Sequence, residues 1–153
     1  MSETFVPDPV IKEIAEAYAL DAVESTLRNM KLVLDWSEAS VQLVEFVLND
    51  LHRQARNANP TREQVYTVAK VFGSYVGEVF IRHHGGAWGM VTLGGETFPG
   101  IRAAEGGGLF WPWGRAMNRL ENGPEDNIWH YYLHLTGRLK PDGETATTRP
   151  PSK

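Results

Sequence analysis

Thr61–Gly86, TREQVYTVAKVFGSYVGEVFIRHHGG, is the stretch whose reading decides the fold. Thr61 followed three residues later by Gln64 has capping-box spacing, in which each side chain satisfies a backbone N–H left over at a helix start. Val65, Val68, Ala69, Phe72, Val76, Val79 and Phe80 then recur at helical spacing, a stripe wide enough for a central helix. Gly85-Gly86 ends it, a natural place for a left-handed cap. Inside the helix, Gly73 and Gly77 lie four apart, where each costs about 1 kcal/mol relative to Ala. Two glycines on one face permit another backbone to approach closely.

Before this helix the chain carries no glycine, since all 15 lie at Gly73 or later. Asp8 and Pro9 start a first helix, with Ile11, Ile14, Ala15, Tyr18 and Ala22 as its apolar stripe, to about Thr26. Met30–Leu34 is a short apolar run that reads as extended, a strand or a lead-in. Asp35 or Ser37 caps the next helix, Asp35 having Glu38 three residues on as a capping box would, and Val41, Val44, Leu48 and Leu51 mark a buried face through about Arg56. After the central helix, Trp88–Leu93 has strand character and Gly94-Gly95 is a turn. Thr97–Ala103 is a second strand broken by Pro99-Gly100. Leu109–Trp113 leads into a short helix from about Pro112 to Leu120, and a last helix begins near Pro124-Glu125-Asp126 with Ile128, Tyr131, Tyr132 and Leu135 inward. Helices segregated from strands give an α+β fold: N-terminal helices packed on a small antiparallel sheet with C-terminal helices, one domain over residues 1–139. The tail 140–153, KPDGETATTRPPSK, is polar and proline-rich and is expected to be flexible.

Composition narrows the partners. The 153 residues carry 15 Lys+Arg and 19 Asp+Glu, a net charge of −4, which disfavours nucleic acid or an anionic membrane. Residues 1–57 hold five basic against ten acidic side chains, so the acidity belongs to the N-terminal third. Without cysteine, neither disulfides nor thiolate chemistry is available. The first twenty residues lack the basic start and apolar run of a secretion signal, and no apolar stretch approaches the ~20 residues of a membrane span. The expectation is a cytoplasmic protein.

Glu78 follows Gly77 among Val76, Val79 and Phe80, and an acid so placed is partly buried and needs a partner. Arg102, Arg115 and Arg119 are the candidates. Such an ion pair locks the helix to the C-terminal half; the alternative is a ligand-binding or acid/base carboxylate. His130 and His134 lie at i and i+4, a chelating spacing, but Tyr131 stands where a zinc protease helix carries its Glu, so neither metal nor cofactor is assigned. Gly73-Ser74-Tyr75 is no nucleophile elbow, since it lies mid-helix. Glu105-Gly106-Gly107-Gly108 lacks the Lys and Ser/Thr of a phosphate loop and reads as a turn. Leu109–Arg115, LFWPWGR, gathers Trp111 and Trp113 beside Arg115, a composition enriched at interaction hot spots; alternatively the two Trp plug the core.

Leu34-Asp35-Trp36-Ser37-Glu38-Ala39-Ser40, Gly73-x-Tyr75-x-Gly77-Glu78, Gly85-Gly86-x-Trp88 and Arg119-x-Glu121-x-Gly123 together resemble a group of small bacterial proteins of unknown function. That group has an L-D-[YW]-S-x-x-S helix start, a G-x-Y-x-G-E helix and a G-G-x-W strand. The resemblance spans residues 30–135 and implies an α+β fold and a bacterial origin, without an activity. Similar compact, acidic, cysteine-free proteins occur beside secreted toxins as cytoplasmic immunity proteins, a likeness of class alone. The leading expectation is a non-enzymatic bacterial protein-binding protein of immunity or inhibitor type, with another protein as partner. The competing one is a small-molecule binder or small enzyme using Glu78 in a pocket lined by Tyr75, Trp88 and Arg115. Glu78, Tyr75, Trp88, Trp111, Trp113, Arg115 and Arg119 are the candidate site residues.

Overall fold

Thr61 and Gln64 form the predicted capping box, Thr61 Oγ1 accepting from Gln64 N and Gln64 Oε1 from Thr61 N, and the central helix α3 runs Arg62–His84. A computed structural model describes residues 3–138; the expected flexible tail, 140–153, lies outside the described residues. Around α3 stand α1 (Pro9–Met30), α2 (Ser40–Ala58), α4 (Pro112–Asn122) and α5 (Ile128–Leu135), with β1 (Thr4–Pro7), β2 (Gly86–Leu93), β3 (Glu96–Ala103) and β4 (Leu109–Phe110). The strands form one antiparallel sheet in the order β1-β2-β3-β4, with helices against one face, so the architecture is α+β. No helix among the described residues is long and apolar enough to cross a membrane.

Small side chains set how closely the helices pack. Ala15, Ala19 and Ala22 put α1 flush against the core, and Gly73 brings α4 in, because an added Cβ would come within 2.6 Å of the Pro112 carbonyl oxygen. Gly77 admits a side chain rather than a backbone: a Cβ there would meet the Trp88 indole at 2.5 Å and Ile101 at 2.8 Å. Trp88, Ile101 and Phe110 share the sheet face that covers α3, in line with the pairings Trp88↔Ile101 and Ile101↔Phe110. On the opposite face Val91, Leu109 and Trp111 make a second small core with Phe5, Leu93 and Phe98.

Several elements depart from expectation. β1 is absent from the sequence reading; it is a proline-bearing edge strand, paired on β2 through Thr4↔Thr92 to Pro7↔Gly89. β3 is not broken at Pro99. Gly94 and Gly95, both at positive φ, make a two-residue hairpin turn, and counting pairs from it puts Pro99 at a non-hydrogen-bonded site opposite Met90. Gly85 ends α3 at φ 83° and ψ 155°, not in the left-handed helical region, and this extended ψ feeds the chain directly into β2. α1 runs on to Met30, Lys31 caps it in the left-handed region, and Leu32–Leu34 is a lead-in without strand pairing. Of the two expected caps of α2, the Asp35 and Glu38 box does not form and Ser37 serves instead: Asp35 accepts from Ser37, Ser37 Oγ accepts from Ser40 N, and the helix begins at Ser40. Pro124–Asp126 is a separate 3₁₀ turn, and Asn127 caps α5 by accepting from His130 N.

Candidate functional site

Glu78 sits on the turn of α3 that faces the start of β2. With Gly77 clearing room for the indole, Trp88 turns its ring edge towards the acid and Nε1 donates to Glu78 Oε2 at 2.9 Å. Glu78 is 9% exposed, and what exposure it has opens into a cleft of about 240 Å³ walled by Pro7, Pro9, Lys12, Glu16, Ile81 and Ala87. Lys12 Nζ bonds Glu16 Oε2 at 2.8 Å across the mouth, and that bond and charge, with a smaller contribution from Glu78, raise its pKa above the ordinary lysine value. Asp8, on the same rim, accepts from Val10 and Ile11 N and so starts α1.

The expected arginine partner of Glu78 is corrected: among the described residues no arginine forms an ion pair with it. Arg119, 1% exposed, bonds both oxygens of Glu45 through Nε at 3.1 and 2.9 Å, with Nη2 on Glu45 Oε2 and Asn49 Oδ1 at 2.7 Å each. Glu45 also accepts Ile128 N at 2.9 Å, so one carboxylate joins α2, α4 and the start of α5. This is the structural lock foreseen for Glu78, on a different acid. Arg115 lies over the Tyr131 ring at 4.4 Å, and Arg102 donates to the Gly107 carbonyl at 3.2 Å.

Tyr75 is likewise away from Glu78. It is fully buried, its hydroxyl accepts Trp36 N at 2.8 Å and lies 2.6 Å from Ser40 Oγ, and its ring meets that of Trp36. The pocket expected from Tyr75, Trp88 and Arg115 around Glu78 therefore does not assemble; Trp88 alone of the three reaches the acid. Trp111 and Trp113 take the core alternative, at 2% and 6% exposed. Trp113 Nε1 donates to Ser74 Oγ at 2.7 Å, which also engages that hydroxyl, and Trp111 packs on Phe98. His130 is exposed, and among the described residues no group of three or more His, Asp or Glu is placed to hold a metal.

A second polar cluster escaped the sequence reading. Trp36 adopts φ 69°, costly for a bulky residue, and is held there by Tyr75, by Arg82 stacked 3.7 Å over its ring and by His83 Nε2 at 3.0 Å from its carbonyl. That turn swings Glu38 away from its own helix start. Its Oε2 receives Tyr132 OH at 2.6 Å, His84 Nε2 at 2.6 Å and Arg138 Nη2 at 3.0 Å. Burial pushes the Glu38 pKa up, but the bonds from Tyr132 and His84 and the charge of Arg138 outweigh it, leaving the pKa below the ordinary carboxylate value. Burial first and the Glu38 bond second raise Tyr132. In the sequence the only trace of this cluster is the L-D-W-S start itself.

On the outside of α1, Val10, Leu20 and Leu27 are 64%, 61% and 50% exposed, interleaved with the exposed acids Glu13, Asp21 and Glu24. A larger groove of about 620 Å³, walled by Leu51, Ala55, Val65, Val68 and Leu120, opens at the far end of α2 and includes none of the candidate residues. Comparison of the chain with protein-family models, with curated proteins and with solved structures gives no match.

Proposed function

We propose that the chain is a non-enzymatic, cytoplasmic binding protein of inhibitor or immunity type, and that it masks a basic surface on a partner protein through α1. The observation that carries this reading is the outer face of α1, where large aliphatic side chains stay in water beside carboxylates. Leu20 and Leu27 lie seven residues apart on one face with Glu24 between them, an apolar and acidic stripe that favours an interaction surface over a solvated helix face. The helix holds two basic and four acidic residues, and the basic pair is taken up locally by Lys12–Glu16 and Glu24–Arg28. A second copy would set like charges together, whereas a basic partner is complementary. The same negative balance argues for a protein partner over nucleic acid. In support of a non-enzymatic role, Ser74, His83 and His84 are engaged in structural bonds to Trp113, Trp36 and Glu38.

Co-purification with the products of neighbouring genes tests the reading. A basic partner is expected whose association weakens with salt; Asp21→Lys with Glu24→Lys slows association, and Leu20→Ser with Leu27→Ser speeds dissociation. Retention of the partner by both double variants as tightly as by the parent, or no partner among those products, would sink it.

A further inference from the structure

We propose that the cleft beside Glu78 is a binding site for a primary alkylammonium group, carried by a free small amine or by a lysine side chain of another protein. The inference stands apart from the docking face of α1 and does not need it.

Glu78 is more than nine-tenths buried, yet its bond from the protein is a neutral indole N–H on Oε2, and Oε1 is not sealed from solvent. A carboxylate taken out of water in this way gains from an opposite charge. The cation that lines the cleft, Lys12, is held on Glu16, so the lining carries Asp8, Glu16 and Glu78 against one ammonium. The first turn of α1 would repel a cation through its free N–H groups, but Asp8 already takes those of Val10 and Ile11. Pro7, Pro9, Ile81 and Ala87 supply apolar wall for a methylene chain. The volume of about 240 Å³ equals about eight waters at ~30 Å³ each, room for a short alkyl chain and its head group.

Ammonium fits better than its rivals. A guanidinium seeks both carboxylate oxygens in a fork, and Trp88 occupies one of them. A divalent metal lacks a set of three protein ligands among the described residues. Lys12, tethered beside the site, acts as a built-in competitor.

Titration of the intact chain with n-pentylammonium, followed by the Trp88 indole N–H resonance in proton–nitrogen NMR, tests the site. A saturable shift in the millimolar range is expected, with none from n-pentanol. Glu78→Gln keeps an acceptor for Trp88 but abolishes the saturable shift, whereas Lys12→Met lowers the Kd several-fold by removing the competitor. An acetylated tripeptide with a central lysine is the second arm: a Kd near that of n-pentylammonium assigns the site to a partner's lysine, and binding of the free amine alone assigns it to a small metabolite. No saturable shift, an equal response to n-pentanol, or undiminished binding by Glu78→Gln overturns the proposal. Weaker binding by Lys12→Met also overturns it, because Lys12 would then be part of the site.

Discussion

Glu45 and Glu78 look alike in sequence, each an acid set among apolar residues of a long helix, and the fold treats them in opposite ways. Glu45 is closed off by the Arg119 guanidinium and the Ile128 backbone N–H, drawn from two other places in the chain. Glu78 receives one neutral N–H and faces a cleft. What separates them is Arg119, which lies 74 residues beyond Glu45, is buried, and bonds both of its carboxylate oxygens. A buried carboxylate thus becomes a lock or a site according to whether a cation from elsewhere reaches it, and local sequence holds no record of that.

Breaking the closed side is expected to have the largest effect. Arg119→Met leaves Glu45, itself mostly buried, without its cation, and removing one partner of a buried pair costs about 3–5 kcal/mol. Urea denaturation should show a loss near the lower end, because the exposed edge of Glu45 still reaches water. A loss within experimental error would mean that the Glu45 junction is not a lock and that the contrast with Glu78 is empty.

The next effect is on the open side and acts through packing. Gly77→Ala gains about 1 kcal/mol of helix propensity but forces the Trp88 ring and Ile101 to shift, and overpacking of this kind costs about 1–3 kcal/mol. The net expectation is a modest destabilisation together with a moved Trp88 indole resonance, since the ring cannot yield without drawing Nε1 from Glu78. Unchanged stability and resonance would show that Gly77 is not what seats the indole.

Those two glycines were legible from the sequence, and so was α3, because the capping box, the stripe and the cost of Gly in a helix are all local. The hairpin at Gly94-Gly95 was equally plain. Where the reading failed, the cause was at a distance. Glu38 had the spacing of a capping box, but Tyr132 and His84, 94 and 46 residues away, draw it off and leave Ser37 to start the helix. β1 was hidden by Pro7, which is tolerated because this is an edge strand. Trp111 and Trp113 stood equally well as surface anchor or core plug until Ser74, 39 residues before Trp113, supplied a buried acceptor for one indole. Of the residues grouped with Glu78, Trp88 reaches it, whereas Tyr75 and Arg115 do not, since Trp36 and Tyr131 claim them.

The Glu38 junction sharpens the comparison through pH, for it holds a carboxylate that is both paired and titratable within reach. Its folded pKa is depressed, so its contribution is present above the ordinary carboxylate value of about 4.3 and is lost as pH falls through the folded value. Burial raises Tyr131, Tyr132 and Tyr75, so the folded state keeps protons that the unfolded chain gives up near pH 10, and stability falls as pH rises beyond that point. Stability should therefore be flat between these limits and decline on both sides. Tyr132→Phe should flatten both flanks, the alkaline one by deleting a titrating group and the acid one by taking a donor from Glu38. A parent profile with no alkaline decline would contradict the burial of these hydroxyls.

The smallest effect tests the open side directly. In Glu78→Gln the amide oxygen still accepts from Trp88 Nε1, the volume is kept, and no protein cation loses a partner, so the change in stability should stay within about 0.5 kcal/mol, as for a site free of buried pairing. Glu45→Gln is the matched control. There the loss of charge strands Arg119, which is 1% exposed, and a cost several times larger is expected. The difference between the two conservative variants, read from urea midpoints at neutral pH, is the quantity that matters. If Glu78→Gln proves as costly as Glu45→Gln, Glu78 is a second lock and its cleft is incidental. If it is neutral, the fold keeps a buried negative charge on α3 that its own stability does not require, which is the condition expected of a residue retained to meet something else.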